Sequence, residues 1–385
     1  MLRIGLAGIG FMGYTHFTAA ARLKGAKFTA LCSSSAKKLA GDWRGIHGNF
    51  GPPAGHIDTS KLAKYANFDA LIADPSIDLI DICSPPDLHE EMAVKALKAG
   101  KHVLVEKPIA LETAAADRMV AAARKAGKFL MVGQVLPFFP EFRFLYETAQ
   151  SGKYGRLRAA HFRRIIAKPD WSGDMASDAK TGGPAVDLHI HDTHFISLIC
   201  GVPKAVQSRG IIENGYAQYL TTQYVFEDPA LSVSSSSGGI ATKALPFTHG
   251  FEAYFENATI QYEAGTLGKD WVVSRPLTVL TSDGKRTEPK LKAGSEWCSA
   301  FTGELQTAVD AIVSGKEARL SSSCSRFSRR RCSIRKAVSS DTLRSRRISP
   351  CRWSSLNTDV RVPIFRSRNR SSFWIGLISS SRHSI

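Results

Sequence analysis

Paired cysteines, long apolar runs and charge imbalance are scarce over most of this 385-residue chain. Its seven cysteines, at 32, 83, 200, 298, 324, 332 and 351, are odd in number and scattered, and none stands in a Cys-x-x-Cys pair. That argues against a disulfide framework and leads us to expect reduced thiols in a cytoplasmic protein. No run of about 18 apolar residues occurs, so no membrane span is expected. The opening MLRIGLAGIG is broken by Arg3 and by glycines, so a secretory leader is not expected either.

The net charge of +17 would suggest a nucleic-acid partner, but it is unevenly placed. Residues 321–385 carry 15 Lys+Arg against 2 Asp+Glu, which leaves only +4 on residues 1–320. Those last 65 residues hold 19 serines, one alanine and no glutamate, with no sustained helical or strand period. They read either as a basic disordered tail, the one part suited to nucleic acid or an anionic surface, or as out-of-frame translation of a GC-rich gene. The abruptness of the change favours the second reading.

The length suggests about two domains. From residue 1 to about 135, strands alternate with helices: RIGLAG, a helix from Tyr14 to a stop at Gly25, KFTALCS, a helical stretch over 60–74, SIDLIDICS, a helix closed by Gly100, KHVLVEKP, a helix closed by Gly127, and KFLMVGQVL. Such alternation predicts an α/β fold with a doubly wound parallel sheet. Beyond it come a helix from Pro140, LRAAHFRRII, a helix opened by Pro184, and six strand-like segments between about 204 and 290 with Gly/Asn/Asp turns. These predict a second, α+β domain over 136–320 with a mostly antiparallel open sheet, one face covered. A helix over SAFTGELQTAVDAIVSG follows, and residues 321–385 stand apart as the anomalous tail.

GLAGIGFMG places Gly8, Gly10 and Gly13 in a G-x-G-x-x-G between the first strand and the first helix. The first glycine permits a tight turn, the second a close approach of backbone to a pyrophosphate, and the third close helix–strand packing. Phe11 and Met12 join that loop. The second strand ends in LCSSSAKK, without the acid that would hold the ribose of NAD. Ser33, Ser34 and Lys37, with Ser35 and Lys38 beside them, suit a 2′-phosphate, so NADP is favoured over NAD. Two further strand ends carry Ser84-Pro85-Pro86 and Glu106-Lys107-Pro108, where ligands bind in open parallel sheets. A lysine there suits the polarisation of a substrate oxygen. His89 reads as a helix-start residue.

DLHIHDTHF, residues 187–195, holds two aspartates and three histidines. At about 100° per residue, Asp187, His191 and His194 share one helix face, while His189 and Asp192 lie off it. The shared face allows an acid/base pair or, alternatively, a metal-dependent hydrolase or lyase site built from Asp187, His191 and His194. No metal is expected on the first reading. A non-catalytic dinucleotide-binding protein is a third possibility.

Taken together, the terminal G-x-G-x-x-G, DICSPPDLHEEMAVKALKAGKHVLVEKPIA and GGPAVDLHIHDTHFISLICGVP resemble the Gfo/Idh/MocA oxidoreductases, over residues 1 to about 320. The resemblance implies a Rossmann domain joined to an α/β domain that often makes homo-oligomer contacts, as dimer or tetramer. It also implies hydride transfer between a nicotinamide and a sugar, polyol or related compound. The family's catalytic lysine falls on Lys107 and its Asp-x-x-x-His pair on Asp187 and His191. Lys107 would stabilise the substrate oxygen, His191 would move the hydroxyl proton, and Asp187 would orient the substrate or the ring. Lys168, Trp171 and Asp174, in AKPDWSGD, are candidate substrate-loop residues, with His194 beside them. Pro137 stands about where the family often has an arginine, and the Ser/Arg tail stands where it continues with another helix.

Overall fold

The computed structural model describes residues 1–48, 50–168, 177–291 and 297–316, and the backbone alone of 322–324, 364–366 and 373–375. Strand β1 (Leu2–Ala7) leads through the glycine loop into α1 (Phe11–Ala19), then come β2 (Ala26–Cys32), α2 (Ala36–Leu39), β3 (Ala63–Tyr65), α3 (Phe68–Ala73), β4 (Leu79–Ile82), α4 (His89–Lys98), β5 (His102–Glu106), α5 (Thr113–Ala126) and β6 (Leu130–Gly133). The strands lie in the order β3-β2-β1-β4-β5-β6, and all five pairings are parallel. This is a doubly wound sheet whose strand order reverses between β1 and β4. The ends of those two strands therefore flank the crevice where such sheets bind ligands.

Full burial on both faces explains the apolar strands. All four residues of β4 and all four of β6 are buried, as parallel sheets covered by helices require. Residues 60–74 depart from the helical expectation. Ala63–Tyr65 pairs with β2 as the edge strand and only Phe68–Ala73 is helical, capped by the Asn67 side chain accepting from the Ala70 amide. Pairing with an existing strand outweighs the helix propensity of three residues.

The second layer begins with α6 (Pro140–Ser151) and β7 (Leu157–Ala167), followed by α7 (Asp178–Thr181) and α8 (Pro184–Cys200). Six further strands follow: β8 (Ala205–Glu213), β9 (Tyr216–Val225), β10 (Ser232–Ala241), β11 (Phe247–Phe255), β12 (Ala258–Leu267) and β13 (Asp270–Thr281), with β14 (Arg286–Thr287) as a short edge. They form one eight-stranded sheet in the order β14-β13-β12-β11-β7-β10-β9-β8. It is antiparallel except for β7 and β10, which run parallel. Helix α8 lies across one face, against β7, β9 and β10.

Helix α9 (Ser299–Ser314) comes after this sheet in the chain yet packs on the first one. Phe301, Leu305 and Ala308 share a core with Ile4, Tyr14 and Trp43. Ser322–Cys324 then adds a strand, β15, antiparallel to β6. Apart from the short backbone stretches named above, the tail reading of 321–385 lies outside the described residues. No helix among the described residues is long and apolar enough to cross a membrane.

Candidate active site

A cavity of about 1370 Å³ runs from the glycine loop, past the ends of β4 and β5, to the inner face of the eight-stranded sheet. Single small-molecule pockets commonly span roughly 300–1,000 Å³, so there is room for two ligands side by side.

At one end the three glycines have separate reasons to be glycine. Gly8 has φ +100° and a Cβ there would stand 2.7 Å from the Cys83 carbonyl oxygen. A Cβ on Gly13 would lie 2.1 Å from the Gly8 oxygen, whereas one on Gly10 would meet nothing within 4 Å. Gly8 and Gly13 are thus packing glycines, and Gly10 exposes bare backbone to the cavity. Gly10 also caps α1 with no side-chain bond, leaving the first amides of the helix available to an anion. Phe11, Met12, Ser33, Ser34, Ser84 and Pro85 line the same end. Ser84 Oγ is buried without a hydrogen-bond partner among the described residues. The bare cradle and the orphaned hydroxyl both fit a dinucleotide.

The expectation for Lys37 is corrected. Lys37 is exposed and does not line the cavity. Its neighbour Lys38 does, and its Nζ donates to the Ile9 carbonyl oxygen at 2.6 Å, across the glycine loop. Ser35 caps the short α2 by accepting from the Lys38 amide, which aims the second lysine rather than the first toward the loop.

In mid-cavity, Lys107 from the end of β5 meets Asp187 from the first turn of α8. Lys107 Nζ donates to Asp187 Oδ1 at 2.6 Å and to the Asp187 carbonyl oxygen at 3.0 Å. The side chains are only 14% and 10% exposed. Asp187 therefore orients Lys107, not the imidazole one turn on. Pro184 opens α8 after Gly183, at φ +88°, and the helical turn places His191 on the same cavity wall. Burial, reinforced by the positive charge of Lys107 and Arg164, holds the His191 pKa well below 6.5, so this imidazole is neutral at neutral pH.

The other residues of DLHIHDTHF separate as follows. His194 does not line the cavity, and burial lowers its pKa to about 4. The shared face is wider than the opening, so the substrate role expected for His194 is not supported. His189 is hydrogen-bonded to Ser237, Tyr224 and Ser235, and Asp192 takes two bonds from Arg164, each at 3.1 Å. The ligand atoms of Asp187, His191 and His194 do not form a close triad. Among the described residues the close sets are His16–Asp81–Cys83 and His16–Glu106–Glu304. The metal alternative loses its geometry. Lys168 lines the cavity, while Trp171 and Asp174 lie outside the described residues.

Sequence reasoning missed two sets of residues. The first is Arg164 and His249, paired across β7 and β11 and both lining the cavity. Strand alternation carried the signal, since Arg164 falls on the buried side of β7 with Ala160, Phe162 and Ile166. Burial and Arg164 hold the His249 pKa well below its ordinary value.

The second is a buried polar knot beneath the cavity floor, formed by His16, Asp81 and Glu304 around Glu106, the one member that the sequence places at the ligand-binding strand end. His16 of α1 contacts Asp81 of β4 at 2.9 Å and Glu106 of β5 at 3.0 Å, and stands 3.8 Å from Glu304 of α9. Burial opposes a charge on His16, but Asp81 and Cys83 outweigh it and hold its pKa well above the ordinary value. Burial, then the Glu106 charge, pushes the Glu304 carboxyl well up. The knot thus holds an imidazolium between two carboxylates, beside one neutral acid. The other Glu106 oxygen accepts from the Lys107 amide at 3.0 Å, which anchors the backbone under the lysine. His89, the first residue of α4, bonds the Pro108 carbonyl oxygen at 2.7 Å and the Ser84 carbonyl oxygen at 2.9 Å, joining the two strand ends that frame the cavity.

Residues 2–134 match the family described as "Oxidoreductase family, NAD-binding Rossmann fold" (Gfo/Idh/MocA). Myo-inositol 2-dehydrogenase of Thermotoga maritima is 28% identical over 200 residues, covering 52% of this chain and 55% of that protein. The scyllo-inositol 2-dehydrogenase (NADP(+)) IolU of Bacillus subtilis is 27% identical over 292 residues, covering 72% and 78%. The chain spans about half the length of the curated relatives it matches, the Bacillus protein excepted. In fold, it is similar to the aldose-aldose oxidoreductase of Caulobacter crescentus, with a TM-score of 0.66 at 20% identity over 82% of this chain and 91% of that one.

Proposed function

We propose that this chain, whose residues 2–134 match an NAD-binding oxidoreductase family, transfers a hydride between NADP and a secondary alcohol or carbonyl carbon of a sugar or polyol. The observation that carries the reading is the Lys107–Asp187 pair, set between the glycine cradle and a neutral His191 in one continuous cavity. When bound, the nicotinamide supplies the hydride acceptor or donor. The chain's own residues supply binding and proton handling.

Gly10 and the first amides of α1 would hold the pyrophosphate. Lys38, with Ser33 and Ser34, would face the ribose 2′-phosphate, and the absence of an acid after β2 favours NADP. Lys107 spends two of its three N–H donors on Asp187 and keeps one for the substrate oxygen. A cation held in a dry site stabilises the oxyanion character that develops there. His191 would accept the hydroxyl proton in oxidation and return it in reduction. Arg164 and His249 would wall the substrate side. The division at about residue 135 between cofactor and substrate domains belongs to the same reading, with α9 returning to the first sheet. So does homo-oligomerisation through the eight-stranded sheet, which leaves Ile211, Ile212, Ile240 and Leu280 exposed.

The test is a screen for NADP⁺ and NAD⁺ reduction over sugars, inositols and sugar acids. Reduction by at least one polyol-type substrate, lost in Lys107→Ala, is expected. A chain that binds NADPH yet reduces neither cofactor with any of them contradicts the proposal.

A further inference from the structure

We infer that His89 is a positioning residue for hydride transfer, whose ring fixes the separation between the cofactor cradle and Lys107. The inference rests on the hydride-transfer reading for the reaction it serves. His89 is fully buried and does not line the cavity, so it acts on a ligand only through the backbone segments it joins. Its Nδ1 stands 2.7 Å from the Pro108 carbonyl oxygen and its Nε2 2.9 Å from the Ser84 carbonyl oxygen. Carbonyl oxygens only accept, so each contact calls on a ring N–H. The imidazolium makes both at once. The neutral ring, favoured by burial, which lowers the pKa, makes one or the other according to its tautomer.

Each joined segment belongs to one side of the reaction. On the cofactor side, Ser84 lines the cavity and its peptide packs on the glycine loop. A Cβ at Gly8 would stand 2.7 Å from the Cys83 carbonyl oxygen and 3.0 Å from the Ser84 nitrogen, so loop and peptide are in direct contact. On the substrate side, Pro108 follows Lys107, whose amide donates to Glu106 Oε2 at 3.0 Å and whose Nζ donates to Asp187 Oδ1 at 2.6 Å. Lys107 is thus held at its amide, at its ammonium and, through His89, at the next carbonyl.

The sheet itself does not set this spacing. The paired register of β4 and β5 ends at Ile82 and Val105, and past it the His89 ring links the two chains. That ring is carried on the first residue of α4, whose Ala93, Ala96 and Leu97 share a core with Val103 and Val105 of β5. The link is therefore mounted on a packed helix. Misplacement of reacting groups by about 1 Å can cost on the order of 10²-fold in rate, and supporting contacts that are themselves packed hold such tolerances.

The two ring nitrogens can be replaced one at a time in the full chain. His89→Asn sets an amide N–H near the place of Nδ1 and keeps the Pro108 bond. His89→Gln sets one near Nε2 and keeps the Ser84 bond, and His89→Ala keeps neither. The readouts are kcat at saturating NADP⁺ with myo-inositol, D-sorbitol and D-gluconate, and NADPH affinity by fluorescence titration. His89→Asn is expected to keep kcat within about threefold of wild type while binding NADPH about fivefold more weakly. His89→Gln should do the reverse, with near-wild-type NADPH affinity and kcat lowered about tenfold, and His89→Ala should show both losses. A histidine that merely filled the core would make Asn and Gln fall together in both readouts. That result, or wild-type values in all three variants, overturns the inference. If wild type turns over none of the three substrates, the hydride-transfer reading falls and NADPH affinity decides alone. Tight binding in Gln with weak binding in Asn and Ala leaves the brace standing, and equal binding in all three removes it too.

Discussion

Lys107 and Asp187, 80 residues apart in sequence, meet through two hydrogen bonds from one ammonium, to the carboxylate at 2.6 Å and to the backbone carbonyl at 3.0 Å. The contact ties the end of a Rossmann strand to the first turn of a helix on the other layer, so the lysine is aimed by both halves of the cavity. A merely exposed loop lysine would have no such partner.

Removing one member of this nearly buried pair strands the other. Asp187→Ala is expected to cost about 3–5 kcal/mol of stability and to lower turnover by releasing Lys107. Asp187→Asn keeps an acceptor oxygen and should cost less on both counts. Thermal unfolding and steady-state kinetics on the two variants check the order. Equal stability of Asp187→Ala and wild type would mean the pair is not formed.

The knot under the cavity makes an asymmetric prediction. Glu304 is the neutral acid of the set, so Glu304→Gln should be nearly silent in unfolding. Asp81→Asn removes the charge beside a buried imidazolium and should cost about 2 kcal/mol or more. Chemical denaturation of both variants reads the difference. A larger loss in Glu304→Gln than in Asp81→Asn would reverse the charge assignment.

Cofactor choice should turn on Lys38. Its Nζ reaches across the glycine loop to Ile9, whereas Lys37 is exposed and off the cavity. Lys38→Ala is expected to weaken NADPH about tenfold and NADH much less, while Lys37→Ala changes neither. Fluorescence titration with the two reduced cofactors checks this, and a larger effect at Lys37 would refute it.

Much of this was legible in the chain itself, for identifiable reasons. The G-x-G-x-x-G, the Glu-Lys-Pro strand end and the Asp-x-x-x-His turn are local patterns, and local backbone geometry places them. Two neighbouring details were not legible. Lys37 and Lys38 are adjacent on a short helix, and the Ser35 cap decides which one reaches the loop. Ala63–Tyr65 lies in a helix-prone stretch and becomes a strand only because β2 offers it an edge. His16, Asp81 and Glu304 come from three distant segments, so only the packed fold brings them together. The hint was an aspartate inside the otherwise apolar LIDI of β4. Arg164 and His249 could have been found by asking which charged side chain falls on the buried side of an alternating strand.

Stability should depend on pH through the buried histidines of the second layer. Burial holds His189 at about 4 against an ordinary value of about 6.5. The unfolded chain therefore binds the proton first, and stability is full above about pH 6.5 and falls toward pH 4. The drop is on the order of 3 kcal/mol for this group, and His189→Gln should flatten that part of the profile. A wild-type melting temperature that is constant or rising from pH 6.5 to 4.5 would count against a buried neutral His189.

The most direct measurement is NADP⁺ reduction at saturating polyol-type substrate by wild type, Lys107→Ala and His191→Ala, with NADPH affinity measured on each. Turnover should fall by about 10²–10⁴ in both variants, while NADPH binds each about as tightly as it binds wild type. Near-full turnover in both variants, or turnover lost together with cofactor binding, would contradict a proton-handling and oxygen-stabilising centre at Lys107 and His191.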